Sequence, residues 1–153
     1  MVTLYAVVGH GDARKSSTIR ALSGVGNADY GRNAKDRWEM QLADYPMPQL
    51  ACVVAGGLQE DYRFTPQGFI DRMHSLAPAV MTAIIALRLV GPNEECPDGE
   101  EYLRRFATRR WAVNYAIIGG TELFHELPNG RLLERGLPAN ELAAQLRTAW
   151  QIR

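Results

Sequence analysis

The chain has 153 residues, 46% hydrophobic and 22% charged, the makeup of an ordinary globular domain and not of a disordered or collagen-like sequence. That length suits one domain with one core, so residues 1–153 are read as a single unit. Lys plus Arg and Asp plus Glu balance at 17 each, which leaves no global field to draw the protein onto nucleic acid or an anionic membrane, so any phosphate recognition has to be local.

In chain order, the first apolar run is residues 4–8 (LYAVV), closed by Gly9 and apolar throughout, as expected of a strand covered on both faces and central in a parallel sheet. It is too short for an export signal and has no basic leader, so the chain is expected in the cytoplasm. Residues 16–22 follow at helical period, with Ile19 and Leu22 on one face and Gly24 and Gly26 as stops. Residues 38–42 alternate apolar Trp38, Met40 and Leu42 with polar Glu39 and Gln41, the pattern of a half-exposed edge strand. Residues 50–55 are a second buried strand, which leaves through Gly56-Gly57. Thr65-Pro66 then supplies an N-cap and first residue for a helix whose Phe69, Ile70, Met73 and Leu76 recur at core spacing until Pro78.

Residues 81–89 are the third buried strand, and residues 112–118 the fourth. The longest apolar stretch, 77–90, is broken by Thr82 and Arg88 and falls short of the roughly 20 residues that cross a membrane. Between these strands, Asp98 and Glu101 resemble a capping box for a helix with Tyr102, Leu103 and Phe106 inward and Arg104, Arg105, Arg109 and Arg110 toward its end. From Ala139 onward, Leu142, Ala143, Leu146, Ala149 and Trp150 form the apolar stripe of a closing helix. Residues 24–35, 90–99 and 125–138, rich in Gly, Pro, Asn or charge, are expected as mobile loops. Cys52 and Cys96 have no metal spacing and suit two reduced thiols. Strands alternating with helices predict right-handed crossovers and a three-layer α/β domain with a mainly parallel sheet.

The most informative segment joins the first strand to the first helix: Gly9-His10-Gly11-Asp12-Ala13-Arg14-Lys15-Ser16-Ser17. Gly9, Lys15 and Ser16 match the first glycine, lysine and hydroxyl of G-x-x-x-x-G-K-[ST], with a strand before and a helix after. The segment resembles the phosphate loop of the P-loop NTPase superfamily, in a small kinase-like form. The resemblance implies ATP or GTP with Mg²⁺: loop residues Gly9, Gly11, Asp12, Ala13, Arg14, Lys15, Ser16 and Ser17 around the phosphates, Lys15 neutralising their charge and Ser16 ligating the metal. Arg14 departs from the pattern, standing where the family has its second glycine, so its backbone is expected to be strained or its guanidinium to serve as an added phosphate contact.

Such a loop also needs an acidic residue at the end of a neighbouring strand. Asp44, after residues 38–42, and Glu60-Asp61, after residues 50–55, are the candidates, and both also read as ordinary turn acids. Asp12 would repel phosphate unless it turned outward or took a proton. The arginines of residues 104–110 could clamp a phosphoryl group, and they equally complement a helix C-terminus. His10 could touch a ligand; with His74 and His125 it shows no zinc spacing. Gly119-Gly120-Thr121 is a second candidate contact, for the nucleotide base. Two functional readings stand side by side: a nucleotide- or phosphate-binding protein that works as an ATP- or GTP-dependent phosphotransferase or NTPase, and a non-catalytic protein of the same fold whose degenerate loop serves as a regulatory, structural or interaction module, with a nucleotide or another phosphate-bearing small molecule as the ligand. A Rossmann-like or flavodoxin-like domain is a third, and Arg14-Lys15-Ser16 after G-x-G fits its G-x-G-x-x-G poorly. An oligomer is compatible with all three.

Overall fold

The structure is a computed structural model that describes residues 2–11, 13–23, 36–40, 49–59, 64–76 and 81–152. The chain runs β1 (Thr3–Gly9), α1 (Lys15–Ser23), β2 (Asp36–Met40), β3 (Gln49–Gly57), α2 (Pro66–Leu76), β4 (Thr82–Arg88), α3 (Gly99–Thr108), β5 (Ala112–Ile118), β6 (Gly130–Leu133) and α4 (Ala139–Trp150). The six strands form one sheet in the order β2-β3-β4-β1-β5-β6. Five are mutually parallel, and β2 is antiparallel to β3 at the edge of the sheet.

The β1 strand, apolar over residues 4–8, lies inside the sheet, paired from Thr3 to Gly9 with β4 and from Thr3 to Val8 with β5. Alternate residues feed two cores. Leu4, Ala6 and Val8 join Ala83, Ile85 and Leu87 beneath Phe69 and Met73 of α2 and Tyr102 and Phe106 of α3. Tyr5 and Val7 join Val53, Ala55, Ile84 and Ala86 beneath Ile19 and Leu22 of α1 and Leu142 and Leu146 of α4. Two helices cover each face, giving the three layers expected from the sequence.

Helix ends follow local chemistry in two cases and depart from it in a third. The Thr65 hydroxyl accepts the Gly68 N–H at 2.9 Å, an N-cap in the place that Thr65-Pro66 predicts. Asp98 precedes α3 but caps nothing; its carboxylate accepts the Gly91 N–H at 2.8 Å and ties down the β4–α3 loop, while Glu101 pairs with Arg105. The capping box is therefore replaced by a loop clamp. At its far end α3 closes as a Schellman turn: Trp111 N–H donates to the Phe106 carbonyl and Arg110 N–H to that of Ala107, with Arg110 at φ 64°.

Residues 125–138, expected as a loop, contain β6, four residues held by Tyr115 to Ile118 of β5. The Tyr115 hydroxyl accepts the Phe124 N–H at 3.0 Å and donates to the Leu127 carbonyl at 3.1 Å, and its ring stacks on Phe124. One buried phenol thus folds the β5–β6 connection back onto the sheet. Among the described residues no helix is long and apolar enough to cross a membrane.

Candidate functional site

In a parallel sheet every strand ends at the same edge, so the loops after β1, β3, β4, β5 and β6 gather there. β1 and β4 are neighbours whose following helices leave to opposite faces, α1 to one and α3 to the other. The place beyond the carboxyl ends of two such strands is the usual ligand position in open α/β sheets. The last residues of the two strands there, Gly9 and Arg88, are register partners.

The β1–α1 turn is tightly wound. A methyl group built on Gly9 would come within 2.9 Å of the Ala13 Cβ, so a side chain there would displace the loop. Gly11 has open space around it and no steric need to be glycine. The His10 carbonyl accepts both the Ala13 N–H at 3.0 Å and the Lys15 ammonium at 2.7 Å, pulling the lysine back across its own loop. Lys15 is only 4% exposed. Arg14 has φ 66°, the left-handed region that favours glycine, so the strain expected from the motif is present in the backbone. Its guanidinium extends to the Leu137 carbonyl at 3.5 Å, outward toward the β6–α4 loop.

Ser16 begins the helix beside Lys15, and its hydroxyl donates to the Ala55 carbonyl of β3 at 2.6 Å. Thr18, on the same helix face as Lys15, is fully buried and its hydroxyl has no hydrogen-bond partner. Ser17 is exposed. Lys15, Ser16, Ala13 and Gly9 are therefore brought together at one helix end. Asp12, Glu60 and Asp61 lie outside the described residues, as does Asp44. The strand before Asp44 ends at Met40, paired with Gln49 at the edge of the sheet opposite the β1–α1 turn.

The resemblance implies Mg²⁺ held by Ser16 and a strand-end acid; the Ser16 hydroxyl keeps its oxygen lone pairs while its proton goes to Ala55, and the acidic candidates lie outside the described residues. The strands flanking β1 end in Arg88 and in Ile118. Among the described residues no three His, Cys, Asp or Glu side chains cluster as a metal site.

Two features of the site escaped the sequence reading. Arg88 appeared only as a break in an apolar run. Gln59 is fully buried, with its amide oxygen accepting the Arg88 N–H at 2.9 Å and its amide nitrogen donating to the carbonyls of Arg88 and Pro97 at 3.0 and 3.3 Å. It acts as one more rung beside β4 and fixes the backbone from which Arg88 projects. A carboxamide that follows a glycine pair at a strand end is the only sequence signal for it.

The arginines of α3 are engaged along their own helix, Arg104 with Glu100 at 2.7 Å and Arg105 with Glu101 at 3.1 Å, while Arg109 donates to Gln67 of α2. They form a solvated helix face and no clamp over the loop. No family model, no curated protein and no solved structure matches this chain. The parallel strands, numbered by themselves, run 2-3-1-4-5. That order differs from the flavodoxin-like 2-1-3-4-5 and from the Rossmann 3-2-1-4-5-6.

Proposed function

We propose that the chain is a phosphate-binding protein of the P-loop type, which holds the phosphate of a nucleotide or another small molecule at the turn between β1 and α1. The observation that carries this reading is the burial of Lys15 at the first turn of α1. A helix N-terminus bears partial positive charge, so a cation there is disfavoured by the macrodipole, and burial adds a desolvation cost. An anionic ligand at this helix end would offset both, because the lysine and the helix dipole then attract the same charge.

Replacing Lys15 separates a ligand residue from a structural one. Lys15→Met keeps the aliphatic stem and removes the charge, and urea denaturation of the ligand-free variant measures what Lys15 contributes to the fold by itself. Affinity for pyrophosphate or ATP, measured by isothermal titration, should fall roughly 10- to 150-fold, the loss of one charge-assisted contact of about 1.5 to 3 kcal/mol. A variant that loses stability and keeps affinity would make Lys15 a structural residue and remove the reading.

The Arg14 backbone favours the binding form of this function over turnover. An arginine strained into a glycine conformation, its guanidinium turned toward Leu137, makes a loop that differs from the family's at the position nearest the transferred phosphoryl group. ATP hydrolysis that depends on Lys15 would decide for the enzyme.

A further inference from the structure

We infer that Asn129 is a site of spontaneous modification, at which the Gly130 amide nitrogen closes on the Asn129 side chain and the isoaspartate that follows releases β6 from the sheet. Asn129-Gly130 is the one Asn-Gly pair among the six asparagines of the sequence, and the fold fixes both of its members. Asn129 has φ 62°, in the left-handed region that asparagine enters more readily than most residues with a side chain. A Cβ built on Gly130 would run into the ring and hydroxyl of Tyr115, the phenol that ties down the β5–β6 connection. The pair that suits this turn is also a labile one, because the asparagine amide is reactive and glycine puts no side chain beside the attacking nitrogen.

Both reacting groups are open to water. Asn129 is exposed. The Tyr115 N–H donates to the Asn129 carbonyl and the Gly119 N–H to the Leu133 carbonyl, so the ladder to β5 runs through residues 129, 131 and 133. The Gly130 N–H therefore faces away from β5, toward the outer edge of the last strand of the sheet. Attack requires the peptide between the two residues to turn, and the Asn129 carbonyl is held by its Tyr115 bond at 3.3 Å, at the long end of the hydrogen-bond range. Opening of a four-residue terminal strand supplies that turn. The Gly130 nitrogen then bonds to the Asn129 Cγ, the Cγ–Nδ2 bond breaks, and Nδ2 leaves as ammonia with the proton that Gly130 gave up. Water adds to either carbonyl of the resulting imide, giving aspartate or isoaspartate. Isoaspartate inserts a methylene into the main chain just before Gly130, so the 129 carbonyl no longer meets the Tyr115 N–H and the pairing of residues 130–133 with 115–118 is lost.

The test is incubation of the folded full chain at mildly alkaline and at acidic pH, followed by tryptic digestion and mass spectrometry. The peptide Trp111 to Arg131 carries Asn129 together with Asn114, whose amide donates to the Leu4 carbonyl at 3.3 Å and which serves as an internal control. The expected result is conversion of Asn129 to isoaspartate with a smaller share of aspartate, faster at the higher pH, while Asn114 stays intact. In the converted protein, amide exchange at Tyr115 and Gly119 should quicken roughly tenfold or more, because both donate to β6. Asn129→Gly keeps the left-handed turn and removes the reacting amide, so its exchange should stay constant through the same incubation. Asn129 that survives in the folded protein, whether or not it converts in urea, would overturn the inference. Conversion to aspartate alone would overturn the imide route. Isoaspartate without quicker exchange at Tyr115 and Gly119, or quicker exchange that also develops in Asn129→Gly, would overturn the release of β6.

Discussion

Arg14 is held at φ 66° on the first approach to α1, in a conformation that costs an L-residue about 1 to 2 kcal/mol and costs glycine almost nothing. Arg14→Gly relieves that strain while giving the unfolded chain more freedom, so the net gain should be about 0.5 to 1 kcal/mol, seen as a higher urea midpoint. A lower midpoint would mean that the contact between the guanidinium and the Leu137 carbonyl outweighs the backbone cost. Gly9→Ala has the opposite sign. The new methyl meets the Ala13 Cβ at 2.9 Å, and neither group can swing away, so the expected loss is about 1 to 3 kcal/mol together with a displaced loop. At this scale Gly9, Lys15, Ser16 and the conflict at Arg14 were legible in the sequence, because a strand, a turn and a helix over some twenty residues hold them together. Arg88 was not, since only the pairing of β1 with a strand far along the chain sets it beside Gly9.

Among the elements, those with a strong local signal were read close to their true limits. The β5 strand spans residues 112–118 as expected, and α2 starts at Pro66 behind its threonine cap. Thr65→Ala should therefore cost about 1 kcal/mol in urea denaturation, with Thr65→Ser nearly neutral. Asp98→Ala should instead leave the start of α3 intact and loosen the Gly91 loop, seen as faster amide exchange at Gly91. The capping-box reading fails there because an Asp can satisfy any nearby N–H, and the loop donor was closer to hand than the helix donor. The β6 strand was missed for a related reason. Its four residues carry no alternation of their own, and what makes them a strand is the bonding edge of β5 and the Tyr115 phenol beneath the connection.

The molecule as a whole was legible as three layers with β1 inside, since uniformly apolar strands and intervening amphipathic helices admit few other arrangements. Its two cores make a prediction at high pH. Burial first, and the neighbouring Cys96 thiol second, raise the phenol of Tyr102 well above its ordinary value of 10.0. Burial likewise raises Tyr115. Both groups are protonated in folded and unfolded chains below pH 10, so their contribution to stability is intact there. Above it the unfolded chain releases protons that the folded one keeps, and stability falls by about 1.4 kcal/mol per pH unit for each phenol until its folded value is passed. Spectrophotometric titration should find Tyr102 and Tyr115 ionising later in the folded protein than in the unfolded chain, and Tyr102→Phe should flatten the fall. The interior position of β1 also has a temporal consequence. Its partners are residues 82–88 and 112–118, so on a ribosome adding roughly 5 to 20 residues per second the first strand waits several seconds or longer for its first neighbour. This apolar strand leaves the ribosome before either of its partners. Its nascent form therefore offers an unpaired, water-averse edge, and that interval is when a chaperone has the most to protect.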